Sequence, residues 1–282
     1  MNKTNTKNGE RYFISVKDVE KTYYTPVGEV LALANCTFNI EKGDFIAMVG
    51  PSGCGKTTIL NLIAGFDTVT KGKIYLGGQL IAEPSKRLYP GPDRVVVFQN
   101  GALFPWMTNL KNICFGPVAQ GVMTPKEAKE KAYELAEAVG LADVLETYPP
   151  FISSGMQRRV EILRALICDP KILLLDEPFR ALDAITKALM HQYLLDLYNK
   201  THKTIMFITH DIDEAVYLSN RVYTMTTRPG CLKKMVSIDS LPRPRKIKDI
   251  ASEEFLRYKQ EIFELVGEEA RKAFERGERE LA

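Results

Sequence analysis

Gly50-Pro51-Ser52-Gly53-Cys54-Gly55-Lys56-Thr57 follows the apolar run Phe45–Val49 and precedes the helix-prone stretch Thr58 to Gly65. The spacing is G-x-x-x-x-G-K-[ST], and an apolar strand before it and a helix after it give that spacing its meaning. Glycines let a backbone curl tightly, so that successive N–H groups point inward at an anion. The helix that follows turns the positive end of its dipole to the same place. Residues Gly50 to Thr58 are therefore a candidate phosphate cradle. Lys56 would reach the terminal phosphates of a nucleotide, and the Thr57 hydroxyl would ligate Mg²⁺.

A second acidic element lies further along. Lys171-Ile-Leu-Leu-Leu-Asp176-Glu177-Pro178 is an apolar strand ending in two adjacent carboxylates. Asp176 suits the Mg²⁺ shell, and Glu177 suits polarising an attacking water. Phosphoryl transfer asks a protein for positioning and charge neutralisation, and these two halves supply both.

Around them, strand-like runs occur at Phe13–Val16, Thr37–Ile40, Phe45–Val49, Lys73–Leu76, Val95–Phe98, Ile172–Leu175, Thr204–Ile208 and Val222–Met225. Four of these (Phe45–Val49, Val95–Phe98, Ile172–Leu175, Thr204–Ile208) are almost wholly apolar, which predicts a parallel sheet covered on both faces. Between Phe98 and Ile172 the pattern turns helical. Thr124, Pro125 and Glu127 read as N-cap, N1 and N3 of a helix running to Gly140. The simplest organisation is a helical insertion at about 103–166 inside an α/β domain of 12–230. A polar leader of 1–11, expected to be disordered, precedes it, and a C-terminal connector and helix of 231–282 follow. Leu241-Pro-Arg-Pro-Arg245 reads as an extended connector, with Arg243, Arg245, Lys246 and Lys248 as its solvated cations. From Ser252 a helix is expected, with Phe255, Ile262, Val266 and Phe274 on the stripe that packs against its own domain.

Composition narrows the class. In 282 residues, 45% apolar and 26% charged types exclude disorder and collagen-like repeats. A net charge of +3 is too mild to imply nucleic acid. No apolar run approaches the ~20 residues of a membrane span, and residues 1–11 lack the apolar core of a secretory signal. Five dispersed cysteines (Cys36, Cys54, Cys114, Cys168, Cys231) argue against a disulfide framework or zinc site and for a reducing cytosol.

Six further words stand in a recognisable order: Lys21-Thr-Tyr23, Val95-Val-Val-Phe-Gln99, Ser153-Ser-Gly155-Met-Gln157, Asp176-Glu177, Ala181-Leu-Asp183 and Thr204-Ile-Met-Phe-Ile-Thr-His210. Over about residues 13–267 the chain resembles the ATP-binding subunit of an ATP-binding cassette (ABC) transporter. The resemblance implies an α/β fold: a P-loop NTPase core with a mostly parallel sheet, an N-terminal antiparallel β subdomain and an inserted α-helical subdomain. It implies roles for the residues too. Tyr23, with Tyr24 as the alternative, would stack on adenine. Gln99 would join Thr57 and Asp176 at Mg²⁺. Ser153, Gly155, Gln157 and Asp183 would serve the nucleotide held by a second subunit. Glu177, His210, Lys56 and Gln99 form the catalytic set. The expected cofactors are ATP and Mg²⁺. The expected partners are permease membrane subunits, a second ATP-binding subunit (identical or homologous) and an extracytoplasmic solute-binding protein, with the chain peripheral on the cytoplasmic face of the membrane. Pro105-Trp-Met-Thr108, Thr209-His-Asp-Ile-Asp-Glu-Ala-Val216, Arg228-Pro-Gly230 and Leu241-Pro-Arg-Pro-Arg245 resemble the nitrate, sulfonate and taurine importer branch. Trp106 would then face the groove that receives a permease helix, or else pack locally.

Two residues depart from the family pattern. Ser154 replaces a glycine in the signature segment, and if that site needs φ > 0 a serine costs ~1–2 kcal/mol. Arg180 stands where a small residue is usual before Ala-Leu-Asp. Both bear on the hydrolysis rate more than on nucleotide binding, so a hydrolysis-impaired subunit stays an open alternative. A non-transport ATPase of the same fold is another, although one cassette without heptads does not favour it. A GTPase would want N-K-x-D, and the nearest text, Asn199-Lys-Thr-His202, lacks the aspartate.

Overall fold

The computed structural model describes residues 12–26, 28–85, 89–180 and 182–276. The leader of 1–11 and Ala181 lie outside the described residues. In chain order the strands and helices are β1 (Ile14–Thr25), β2 (Gly28–Ile40), β3 (Phe45–Val49), α1 (Lys56–Ala64), β4 (Lys71–Leu76), β5 (Gln79–Ala82) and β6 (Arg94–Val97). Then come α2 (Asn109–Ala119), α3 (Pro125–Glu137), α4 (Ser154–Leu166), β7 (Ile172–Asp176), α5 (Ala184–Thr201), β8 (Thr204–Ile208), α6 (Ile212–Leu218), β9 (Arg221–Met225), β10 (Leu232–Ser237) and α7 (Glu253–Glu275). They fall into two compact units, Met1–Gly91 with Thr201–Ala282, and Pro92–Lys200.

In the first unit β1 pairs with β2 and β4, and β4 with β5, all antiparallel. This is the N-terminal antiparallel sheet the family resemblance implies. Beside it β3 runs parallel to both β8 and β9, and β10 closes the edge antiparallel to β9. Every residue of β3 and β8 is buried, as their unbroken apolar runs require.

Helix α7 is fastened to this unit by Phe255 and Ile262, both fully buried. Phe274 is 85% exposed, which corrects the expected stripe. At ~100° per residue, position 274 lies about 120° around the helix from Ile262, off the buried face. The connector also differs from expectation. Arg245 is 1% exposed, not a solvated cation. Its Nη1 donates to the carbonyls of Val216 (2.6 Å), Tyr217 (3.0 Å) and Ser219 (2.6 Å), and its Nη2 to that of Ile238 (3.3 Å). It thereby satisfies the carbonyls that α6 leaves bare at its C-terminal end. Burial, with Arg243 nearby, pushes its pKa down to about 9, so it is still charged at neutral pH.

In the second unit β6 and β7 pair in parallel and α2, α3 and α4 pack together. Helix α3 starts as its sequence dictates. The Thr124 side chain accepts from the Glu127 N–H, and the Glu127 carboxylate accepts from the Thr124 N–H, a complete capping box. Among the described residues no helix is long and apolar enough to cross a membrane.

Candidate functional site

The candidate phosphate cradle is built where β3 ends. Gly53 and Gly55 take φ of 74° and 92°, conformations that cost a glycine nothing. Gly50 is required for another reason: a Cβ there would stand 2.9 Å from Cys54 Sγ and 3.0 Å from Met225 Cβ. Lys56 is buried, and its ammonium donates to the carbonyls of Gly50 (2.8 Å) and Pro51 (3.0 Å). Thr57, by contrast, is exposed on the first turn of α1. The loop is held from outside by the segment after β9. Gly230 runs so close that a Cβ would lie 1.9 Å from the Cys54 carbonyl oxygen, and Arg228 Nη2 lies 3.1 Å from where a Gly53 Cβ would be. That close approach accounts for the glycine of Arg228-Pro-Gly230.

The parallel register brings His210 to the same edge. Met48 pairs with Ile208, so Gly50 and His210 each stand two residues beyond a matched position. The turn carrying the exposed His210 is fixed by Thr209, whose hydroxyl donates to Glu214 (2.6 Å) and accepts from the Asp211 N–H (3.0 Å). Tyr23 also belongs to this unit. Its phenol engages Thr58 and Asp67, and burial is the largest cause of its raised pKa. The Lys21 ammonium lies 4.8 Å from the Tyr23 ring centroid while donating to Asp67 (2.5 Å) and the Thr68 carbonyl (2.8 Å). Burial alone would raise the Asp67 carboxyl, but Lys21 and the Thr68 N–H hold it below the usual range. Lys21 and Asp67 were not singled out in the sequence, since neither residue type at those positions announces a role until the sheet folds.

The second unit repeats the strand-end logic. Val97 pairs with Leu175, so Gln99 and Glu177 each lie two residues past a matched pair, with Asp176 between. Asp176 is 6% exposed. Glu177 sits at φ 43°, a left-handed conformation that costs a non-glycine residue ~1–2 kcal/mol. Arg180 Nη1 is 3.5 Å from Glu177 Oε2, so the departure at 180 pairs with the catalytic candidate itself.

The signature segment forms the start of α4. Ser153 is its N-cap and accepts from the Met156 N–H (3.3 Å), leaving the hydroxyl proton free to be donated elsewhere. Ser154 is the first helical residue and is absent from the positive-φ positions, so the strain considered for that substitution does not arise. Gly155 is needed for packing, since a Cβ would lie 2.5 Å from Thr186 Cγ2. The Gln157 amide is engaged locally, donating to Pro149 (2.9 Å) and Ile152 (3.3 Å) carbonyls. Asp183 accepts from the N–H groups of Ile185 (3.1 Å) and Thr186 (3.0 Å) at the start of α5. A hydrogen bond from the Thr186 side chain, and then these backbone bonds, lower its pKa.

Comparison with known proteins agrees with this architecture. Residues 33–180 match the ABC transporter family. A nitrate import ATP-binding protein from Synechocystis sp. is 42% identical over 90% of this chain and 94% of its own. An aliphatic sulfonates import ATP-binding protein from Bacillus cereus is 43% identical over 82% of this chain and 88% of its own. A dimeric ATP-binding cassette in a post-hydrolysis state, bound to ADP and Pi, superposes with a TM-score of 0.70 at 30% identity, covering 81% of this chain and 100% of that one. The chain belongs to the ABC transporter family, of which it is an ATP-binding cassette subunit.

Proposed function

We propose that the chain binds and hydrolyses ATP to power import of a small anion through permease subunits at the cytoplasmic face of a membrane. The carrying observation is the repeated register: β3 and β8 bring Gly50, whose carbonyl holds the Lys56 ammonium, and His210 to one strand edge, while β6 and β7 bring Gln99, Asp176 and Glu177 to another. Each edge is assigned its own role toward a bound nucleotide. Lys56 and His210 neutralise charge on the terminal phosphate, Glu177 orients the attacking water, and Tyr23 carries the adenine.

Thr57, Asp176 and Gln99 carry a hydroxyl, a carboxylate and an amide oxygen, the hard-oxygen donor types that Mg²⁺ prefers, and are the residues that would hold it. When bound, Mg²⁺ supplies charge neutralisation between the phosphates. Two copies, or one and a homologue, close head to tail. The Ser153 hydroxyl and the α4 N-terminus of one then face the phosphates held by the other.

The relatives support this solute class: their names specify nitrate, aliphatic sulfonates and, for another Synechocystis protein 42% identical over 83% of this chain, bicarbonate. All are oxyanions, and in this proposal a solute-binding protein outside the membrane hands the solute to the permease. The permease seat is an apolar groove of about 330 Å³ in the second unit, formed by Met107, Leu110, Cys114, Phe115, Val118 and Pro125. Trp106, 70% exposed, stacks near Phe104 (5.5 Å between centroids), which contacts Phe115 in turn.

Glu177→Gln tests the reading. ATP binding is retained, turnover falls roughly 10²–10⁴-fold, and an ATP-dependent dimer accumulates in size-exclusion chromatography. Unchanged turnover removes Glu177 from its role.

A further inference from the structure

Two turns of α4 carry three charged side chains whose partners lie on the loop after β6. Arg158 and Glu161 are 7% and 5% exposed and form an ion pair at 2.6 Å. Arg158 Nη1 also donates to the Phe98 carbonyl (2.7 Å), and its Nη2 to the carbonyl of Gln99 itself (2.8 Å). Glu161 Oε1 accepts from the Ala102 N–H (2.6 Å), and Arg164 Nη1 donates to the Ala102 carbonyl (2.7 Å). At Gly101 a Cβ would stand 3.0 Å from Glu161 Oε1, so the loop passes directly over that carboxylate.

A buried ion pair alone is weak evidence of stabilisation, because desolvation offsets the attraction. This pair differs in that both charges also bind backbone groups. Backbone groups drawn away from water need partners, and here the carbonyls of Phe98 and Gln99 and both the N–H and the carbonyl of Ala102 find them on α4. The helix that begins at Ser153 therefore dictates where the Gln99 backbone stands.

We propose that Arg158 and Glu161 are positioning residues that clamp the 98–102 loop to α4, so that the Gln99 amide and the Ser153 end of the helix move as one body. The inference rests on the roles proposed above for Gln99 and Ser153. It makes a substitution in the middle of α4 a lesion of Gln99.

The test is a double-mutant cycle on the full chain in its transporter complex, with kcat, KM for ATP, ATP affinity and Tm measured for Arg158→Gln, Gln99→Ala and the pair. Arg158→Gln lowers kcat about tenfold and leaves ATP affinity within about twofold, because the loss falls on positioning and not on ground-state binding. In the Gln99→Ala background the same substitution costs no more than about twofold further, since coupled residues are non-additive. Arg158→Lys, which keeps the charge but cannot span both carbonyls, and Glu161→Gln, which keeps an acceptor for Ala102, are run through the same cycle where Arg158→Gln fails to fold. Full multiplication of the two losses, with kcat falling in proportion to Tm, overturns the clamp and leaves a structural brace. Wild-type kcat in the Arg158 variants overturns it as well. Wild-type kcat in Gln99→Ala overturns both the clamp and the role of Gln99, and is distinguished from failure of the clamp alone by that single variant.

Discussion

Glu177 carries two constraints at once, a left-handed backbone and a long cation, Arg180, within ion-pair distance. Backbone strain of this kind persists where surrounding structure enforces it. The Arg180 side chain is largely exposed, so the pair is worth only ~0.2–1 kcal/mol. Arg180→Ser removes that pairing, and steady-state hydrolysis should rise by about 1.5–5-fold, the rate equivalent of that energy. A fall would mean that Arg180 assists the reaction. The identities Lys56, Asp176 and Glu177 were readable because their spacing and strand context are rigid. The conformation of Glu177 was not, because it precedes Pro178, where local sterics alone favour extended backbone. Packing around the strand end overrode that preference. Ser154 shows the reverse case: its cost depended on a backbone angle, and the helix start at 154 removes it.

Elements with strong local signals appear where the sequence puts them. Thr124-Pro125-Glu127 is one, and its worth is measurable: Thr124→Ala costs ~1 kcal/mol and lowers Tm by about 2–4 °C in a thermal melt. Weakly patterned elements were missed. Strand β10 reads Leu-Lys-Lys-Met-Val-Ser, without clean alternation, because it is an edge strand paired to β9, with Lys234 exposed and Lys233 turned to the carboxylates of Glu268 and Glu269. Short β5 depends on β4 for its partner and has little signal of its own. The glycine of Arg228-Pro-Gly230 was legible as a motif word, yet its physical reason needed the fold. Gly230→Ala drives a methyl group into the Cys54 carbonyl and should weaken ATP binding at least tenfold, because the cradle must shift. Isothermal titration with a non-hydrolysable ATP analogue checks it, and unaltered affinity would show that the cradle tolerates the displacement.

Across the molecule, the C-terminal segment is a fastening and not an appendage. Glu269 is buried against the Thr227 N–H (3.0 Å), Lys272 (2.7 Å) and Lys233 (3.0 Å). Burial alone would raise its pKa, but these partners more than offset that and hold it at about 2. A carboxylate depressed in the folded state stabilises fully above its unfolded value near 4.5, and that contribution is lost as pH falls from there through about 2. Glu269→Gln should therefore melt below the parent at pH 7, with the gap closing as the buffer is acidified toward pH 2. A gap independent of pH would assign the loss to packing.

Arg245 sits among the C-terminal carbonyls of α6, the helix that opens two residues after His210. A chain cut at Gly230 would keep every nucleotide-facing word quoted above, yet strip the lid from that helix and let its last turn unwind. Minimal cassettes trimmed by motif boundaries alone would thus lose the footing of His210 while every textual hallmark stayed intact.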